Sequence, residues 1–149
     1  MISLQKWGRV DLTKEDPWIN KVRIWLWWDT NSFDWSNFDL DVSLFCLWED
    51  GKVPRINWQV KEEYFIFYNN LSLSNWSIKH LWDNRTWSWD WDDEVIEIKL
   101  SKIPEDIKEI VFVTTIHEAK ERKQNFWQVN NSYIHLVNDL LLNICEQMY

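Results

Sequence analysis

The chain has 149 residues, enough for one domain with a hydrophobic core and too few for two domains of ordinary size. Lys and Arg number 16 and Asp and Glu number 24, so the formal net charge is −8, which argues against a nucleic-acid partner held by phosphate contacts. The sequence contains neither the apolar core of a signal peptide nor a run as long as a membrane span. We therefore expect a cytoplasmic protein that does not span a membrane.

Six segments carry β-branched and aromatic residues with partial alternation, which is the pattern of β-strands. They are Lys21–Asp29, Phe38–Trp48, Glu63–Asn69, Asp93–Leu100, Glu109–Glu118 and Asn130–Asn138. Turn-rich segments such as "EDGKVP" and "NNLSLSNWS" separate them. This spacing predicts a mainly β fold, an antiparallel β-sandwich of two sheets, rather than alternating strands and helices.

Two segments favour short helices. "IPEDIKE", with Pro104 near its start, predicts a single helical turn. "HEAKERKQNF", from His117 to Phe126, predicts an amphipathic helix of about three turns. The fold expected from the sequence is therefore two sheets with one or two short helices.

Common catalytic and redox motifs are absent from the sequence. There is no Ser/His/Asp order, no glycine-rich phosphate loop and no CxxC pair, so we expect no enzymatic activity. Cys46 and Cys145 are far apart and are interpreted as buried apolar residues. The alternative from the enzyme class is a hydrolase centred on His117 and Glu118, two adjacent groups that could exchange protons.

Tryptophan and glycine occur in unusual numbers. The chain has 14 Trp and 2 Gly, whereas glycine normally makes up about 7% of residues. A β-rich chain needs residues that adopt positive φ at its turns and bulges, and tryptophan does so only at a cost in free energy. The abundance of tryptophan therefore requires an explanation.

The stretch "DNRTWSWDWDDEV", residues 83–95, interleaves tryptophans with five acidic residues and has two interpretations. If the alternation is that of a strand, Trp87, Trp89 and Trp91 form an aromatic platform, which would suit a carbohydrate- or peptide-binding module. If the stretch is a loop, its carboxylates repel one another unless a cation binds between them. Calcium is a cation of this kind, because it takes six to eight oxygen ligands from flexible, acidic loops.

A second acidic segment precedes and begins the second predicted strand. It contains Asp29, Asp34, Asp39 and Asp41, and the two-residue spacing in "FDLD" places Asp39 and Asp41 on the same side of a strand. These two carboxylates could bind one ion together. In "YNN", Asn69 and Asn70 add amide oxygens of the kind that calcium accepts.

Several blocks resemble, in order and spacing, the TerD family of tellurite-resistance and stress-response proteins. They are "VDLTKEDP", "WDTNSFD", "FDLDVSLF", "FIFYNNL", "DNRT" followed by "DDEV", and "TIHEAKERKQNF", over about residues 4–138. The resemblance implies a β-sandwich that binds calcium through acidic loops and has no established catalytic activity. It also implies a membrane-associated assembly with related Ter-type proteins. The metal ligands that we predict on this basis are Asp29, Asp39, Asp41, Asn69, Asn70, Asp83, Asp90, Asp92, Asp93 and Glu94.

The positions of the tryptophans show a pattern when the sequence is compared with that family. Trp28 stands where the family has tryptophan, and Trp58 lies in a segment that aligns less well. All the others stand where the family commonly has glycine: Trp7, Trp18, Trp25, Trp27, Trp35, Trp48, Trp76, Trp82, Trp87, Trp89, Trp91 and Trp127. We hypothesise that the source organism reads the codon UGA as glycine and that the translation used a table in which UGA means tryptophan.

The last residues of the chain, "NDLLLNICEQMY", do not resemble the sequence that family members have after this point. We interpret residues 1–149 as a single TerD-like domain that is incomplete at its C-terminus, with a final strand and helix missing. The function predicted from the sequence is calcium binding by a TerD-type protein in tellurite resistance or general stress response. The tryptophan platform remains the alternative.

Overall fold

A computed structural model describes residues 2–3, 8–28, 38–83, 94–129 and 132–138 of the chain. The elements in chain order are β1 (Ile2–Ser3), α1 (Leu12–Glu15), β2 (Lys21–Trp27), β3 (Leu40–Leu47), β4 (Arg55–Ile56), β5 (Gln59–Val60), a 3-10 helix (Glu62–Tyr64), β6 (Phe65–Ile66), β7 (Ile78–Asp83), β8 (Glu94–Lys99), a second 3-10 helix (Leu100–Lys102), β9 (Glu109–Ile116) and β10 (Tyr133–Asn138).

The strands form two main sheets in which every pair is antiparallel. One sheet has five strands in the order β1-β10-β2-β8-β7, and the other has three in the order β6-β3-β9. Strands β4 and β5 pair with each other as a separate hairpin. This arrangement confirms the predicted mainly β sandwich.

The core lies between the two sheets because β2, β3 and β8 alternate buried and half-exposed residues. On β3 the buried residues are Leu40, Val42, Leu44 and Cys46, and they pack in one cluster with the inward-facing residues of the five-stranded sheet, which are Val22, Ile24, Leu26, Ile78, Ile96, Ile98 and Leu136. Burial raises the pKa of the Cys46 thiol to about 12, so this thiol stays protonated. Cys46 is thus a buried apolar residue, as predicted, whereas Cys145 lies outside the described residues.

All six predicted strands are present, with shorter bounds than the sequence indicated. Strand β7 was not predicted, because its sequence "IKHLWD" mixes charged, aromatic and aliphatic residues without a clean alternation. The hairpin of β4 and β5 was also missed. Its strands have two residues each, too few to show a period.

The predicted helix over residues 117–126 is wrong. The segment instead forms a series of turns, closed by bonds such as Arg122 N–H to the Glu118 carbonyl at 2.9 Å. Glu118 has φ 50° and Lys123 has φ 55°, and these left-handed residues interrupt a right-handed helix at both ends. The segment around Pro104 forms one turn, in which the Ile107 N–H donates to the Pro104 carbonyl at 3.0 Å.

Two tryptophans have backbone conformations that favour glycine. Trp58, together with Asn57, forms the two-residue loop between β4 and β5, with φ of 67° and 49° respectively. Positive φ at both loop residues is the signature of a type I′ turn, for which Asn-Gly is a preferred pair. Trp76 has φ 59° and closes the turn that begins at Leu73, just as Gly51, with φ 70°, closes the turn that begins at Trp48.

We predict that Trp58→Gly stabilises the chain by on the order of 1 kcal/mol, because glycine adopts positive φ without the steric strain of a side chain. The Trp58 side chain is 93% exposed, so little packing is lost. The change in unfolding free energy is measured by chemical denaturation.

Trp127→Gly is the matched control for this substitution. Trp127 is 97% exposed but does not have positive φ, so glycine there gains no relief of strain and adds chain entropy to the unfolded state. Equal stabilisation by both substitutions would contradict the turn-based explanation and would instead indicate an effect of removing any exposed indole.

Candidate functional site

A buried carboxylate joins the two sheets where β3 and β8 begin. Glu94 is the first residue of β8 and is 2% exposed. Its Oε2 atom accepts a hydrogen bond from the backbone N–H of Val42, on β3 of the opposite sheet. The acidic stretch of residues 83–95 is therefore tied at its C-terminal part to the strand that carries the second acidic segment.

His80 lies against this carboxylate inside the sandwich. The residue is on β7, is 4% exposed, and has its Nε2 atom 3.7 Å from Glu94 Oε2. That separation is longer than a hydrogen bond. Neither ring nitrogen of His80 has a hydrogen-bond partner among the described residues.

The surroundings of Glu94 act on its pKa in opposite directions. Burial raises the pKa, because a low-dielectric environment disfavours the charged form, and the negative charge of Asp41 raises it further. His80 and the Val42 N–H lower it by stabilising the carboxylate. Burial is the largest of these effects, so the pKa of Glu94 is above its ordinary value.

Two of the predicted carboxylates are at the start of β3. Asp39 and Asp41 alternate with the buried residues Leu40 and Val42 and are themselves half-exposed. The Asp39 carbonyl accepts the backbone N–H of His117 at 2.7 Å. Asp41 Oδ2 is 3.7 Å from His117 Nδ1, at the end of β9, and the charge of Asp41 also acts on the Glu94 carboxylate.

Asn69 and Asn70 lie in a turn that follows β6. Phe67 and Asn70 exchange two backbone hydrogen bonds, at 3.0 and 2.9 Å. The side-chain amide of Asn70 donates to the carbonyls of Glu62 and Phe65, at 3.1 and 2.7 Å. The Asn70 amide nitrogen therefore fastens this turn to the residues before it.

The remaining predicted ligands are outside the part of the chain that can be described. Asp29, Asp90, Asp92 and Asp93 are not among the described residues, nor are Trp87, Trp89 and Trp91 of the tryptophan-platform interpretation. Asp83 is described by its backbone, which pairs with Glu94. Within residues 2–3, 8–28, 38–83, 94–129 and 132–138, no group of three or more His, Cys, Asp and Glu is arranged to hold a metal.

His117 and Glu118 lie at the junction between β9 and the turns that follow it. His117 Nε2 is 3.8 Å from Glu118 Oε1, and Glu118 Oε2 is 3.7 Å from Arg122 Nε. His117 thus stands between the carboxylates of Asp41 and Glu118. This arrangement links the end of β9 to the start of β3.

Sequence reasoning missed the pairing of His80 with Glu94. The sequence indicates no partner for His80, because 14 positions separate it from Glu94 and β7 shows no clean alternation. The sequence signal that could have found this pairing is a two-residue spacing. Ile78 and His80 are two residues apart on β7, and Glu94 and Ile96 are two residues apart on β8, so all four lie on the inner face of neighbouring strands.

Known proteins resemble this chain over most of its length. A family model described as "TerD domain" matches residues 1–143. The chain belongs to the TerD domain family. The tellurium resistance protein TerD of Serratia marcescens is 46% identical over 138 residues, which are 93% of this chain and 69% of the relative. General stress protein 16U of Bacillus subtilis (strain 168) is 45% identical over 139 residues, with the same coverage.

Solved structures share the fold. A homologue of the telluride resistance protein TerD from Streptomyces coelicolor A3(2) superposes with a TM-score of 0.60 at 17% identity, over 80% of this chain and 66% of that one. The TerD-domain chain thus spans about two thirds of the length of these proteins. Among its described residues, no helix is long and apolar enough to cross a membrane.

We predict that Glu94→Gln stabilises this TerD domain at neutral pH when divalent cations are absent. The folded-state pKa of Glu94 is raised, so the protonated form of Glu94 favours the folded state. This stabilisation of the fold is fully present below the ordinary carboxyl pKa of about 4.3, and it is lost as pH rises through the folded-state pKa. Glutamine stays neutral and keeps an oxygen for the Val42 N–H. The increase in unfolding free energy caused by Glu94→Gln should therefore fall towards zero at acidic pH.

The measurement is thermal unfolding in the presence of a chelator, from acidic to neutral pH. Glu97→Gln is the control, because Glu97 lies on the outer face of the same strand, 2.8 Å from the Lys21 ammonium, and its charge is paired. A loss of stability in Glu94→Gln at neutral pH would contradict the prediction.

Proposed function

We propose that this TerD-domain chain binds calcium at the end of the sandwich where β3 and β8 begin. The observation that carries the proposal is the hydrogen bond by which Glu94, from one sheet, accepts the Val42 N–H of the other, next to Asp41 in the chain. Described members of two acidic segments that are distant in sequence, Asp41 and Glu94, are thereby brought near each other. Such a convergence of carboxylates suits a hard cation with oxygen ligands.

Electrostatics supports a cation at this position. A buried carboxylate with a second carboxylate nearby is unfavourable, as the raised pKa of Glu94 indicates. A divalent ion between Glu94 and Asp41 would reverse the sign of the local potential and favour the ionised form of both. The two side chains supply part of the oxygen set that calcium needs.

The other ligands in this proposal come from the residues predicted from the sequence. Calcium takes six to eight oxygens at roughly 2.3 to 2.6 Å. We assign them to Asp39 and to the two acidic segments, that is to Asp29, Asp83, Asp90, Asp92 and Asp93. The amides of Asn69 and Asn70 are further candidates, with oxygen rather than nitrogen as the ligand.

We also propose that the protein acts in resistance to tellurite or in general stress response, in the cytoplasm and in an assembly with related Ter-type proteins at a membrane. The support is the naming of its relatives, a tellurium resistance protein and a general stress protein. No catalytic step is assigned to it. Binding of calcium and of protein partners is the whole of the proposed activity.

We predict that calcium raises the melting temperature and that magnesium does so less. A ligand that binds only the folded state adds about 2.7 kcal/mol at a free concentration of 100 times its Kd. Magnesium requires near-ideal octahedral geometry and loses its water reluctantly, so it fits a flexible acidic site poorly. Isothermal calorimetry and thermal unfolding with each ion measure the two effects.

Asp41→Asn and Glu94→Gln should each weaken calcium binding by about tenfold or more, since changes beside a metal already reduce affinity by about 10- to 100-fold. The control is again Glu97→Gln, which makes the same change in net charge on the same strand. Absence of calcium binding to the unmodified chain at millimolar concentration would remove the proposal. If Glu97→Gln weakened calcium binding by the same factor, the loss of affinity would be an effect of net charge and not of a specific site.

We further propose that every tryptophan except Trp28 is a glycine in the natural protein, written by the codon UGA. Trp28 belongs to the buried core and is 9% exposed. In contrast, Trp18, Trp58, Trp76 and Trp127 have large exposed side chains, at 87, 93, 59 and 97%. The positive φ of Trp58 and Trp76 adds independent support, because it is the conformation for which glycine is preferred.

The codons of the gene and the mass of the natural protein test this proposal. We predict UGA at the tryptophan positions other than Trp28, and an intact mass lower by the difference between tryptophan and glycine at each of them. Standard UGG codons together with the mass of the printed sequence would overturn the proposal. They would favour the alternative function, a carbohydrate- or peptide-binding module with a tryptophan platform.

A further inference from the structure

The two oxygens of Glu94 have different surroundings. The Val42 N–H donates to Oε2, and His80 Nε2 lies 3.7 Å from the same Oε2 atom. These two contacts with described residues are both made by Oε2. Oε2 is therefore the oxygen that the described part of the protein holds.

The β7–β8 pairing keeps His80 and Glu94 together. His80 pairs with Ile96, whereas Glu94 pairs with Asp83, and the register shifts between His80 and Trp82. This bulge carries an extra residue on β7 and increases the local twist. The imidazole consequently lies beside Glu94, the first residue of β8 and part of the acidic stretch of residues 83–95.

His80 stabilises the core less than an apolar side chain of similar size would. Its side chain is 1% exposed and both ring nitrogens lack a hydrogen-bond partner among the described residues. Buried polar atoms without partners destabilise a fold, and an apolar side chain of similar size would avoid this cost. A residue that costs stability where it stands is a candidate for a functional role.

We propose that His80 is a positioning residue, which keeps Glu94 Oε2 on the Val42 N–H and thereby presents Oε1 to the cation. The inference rests on the calcium function proposed above. A ligand carboxylate that is held by outer partners loses less freedom when the ion binds. His80 and Val42 are those partners, and the cation is held on the other side of the carboxylate.

His80→Leu separates this role from a structural one. Leucine fills the inner face without unpartnered nitrogens, so the melting temperature in the presence of a chelator should be equal to or higher than that of the unmodified chain. The calcium Kd should nevertheless rise by about 10- to 100-fold, because Glu94 is no longer held. His80→Gln keeps an N–H donor and should lose less affinity than His80→Leu.

Two controls exclude a general effect of the substitution. Ile78→Val is on the same strand and the same inner face, with Ile78 fully buried. It should lower stability without changing the calcium Kd. His135→Ala removes a histidine from β10, and it should also leave the Kd unchanged.

The backbone amide of Val42 gives a readout that does not depend on the melting temperature. In the unmodified chain its N–H is bonded to Glu94, so we expect its hydrogen exchange to be slow and its resonance to report on the carboxylate. In His80→Leu, exchange at Val42 should become faster while exchange at Leu44, deeper in β3, stays the same.

The possible outcomes are distinct. Calcium binding by the unmodified chain, with weakened binding and faster Val42 exchange in His80→Leu, is the expected result. Equal calcium Kd values for the unmodified chain and His80→Leu would overturn the positioning role and leave the calcium function intact. No binding of calcium to the unmodified chain would overturn the calcium function and this inference together. Weakened binding in Ile78→Val as well would show that loss of stability is the cause.

Discussion

A hydrogen bond from the Val42 amide to the Glu94 carboxylate joins the two sheets where β3 and β8 begin. A buried carboxylate is expensive to desolvate, so its placement in the core requires compensation. The Val42 amide and the neighbouring imidazole of His80 compensate for this cost, and in our proposal a divalent cation does so as well. The proposed site therefore depends on a side chain that faces inward, although most of its ligands were predicted from outward-facing acidic segments.

Sequence patterns predicted the sheets because the alternation on β2, β3 and β8 is regular over six to eight residues. They failed where local backbone conformation decides the structure. The amphipathic pattern of residues 117–126 favours a helix, yet positive φ at Glu118 and Lys123 bends the chain into turns. The pairing of His80 with Glu94 could not be predicted either, since it depends on the β7–β8 register and a bulge. The family resemblance placed Glu94 among the predicted ligands, whereas the spacing of His80 from Ile78 indicates only that His80 faces inward.

The distribution of tryptophan follows the same physical logic. A large indole in the core, as at Trp28, fills volume, whereas an indole at an exposed turn with positive φ adds strain and exposes apolar surface. The turn ending at Gly51 shows the residue type that this geometry prefers, and the equivalent place in the turn ending at Trp76 has the same sign of φ. The positive φ of Trp76 is thus a conformation that glycine adopts more easily than tryptophan. For the acidic stretch, glycine would also give the backbone the freedom that a calcium loop needs.

The central claim is that a cation binds where the acidic segments of the two sheets converge. Replacing calcium with a paramagnetic lanthanide and recording the broadening of backbone amide resonances tests it most directly, because broadening falls steeply with distance from the ion. We predict that the amides of Asp41, Val42 and Glu94 broaden first, at low ion concentration, while those of Leu47 and Lys99, at the far ends of β3 and β8, remain sharp. Uniform broadening over the acidic surface, or broadening that starts at the far end, would contradict a site built on Glu94 and Asp41.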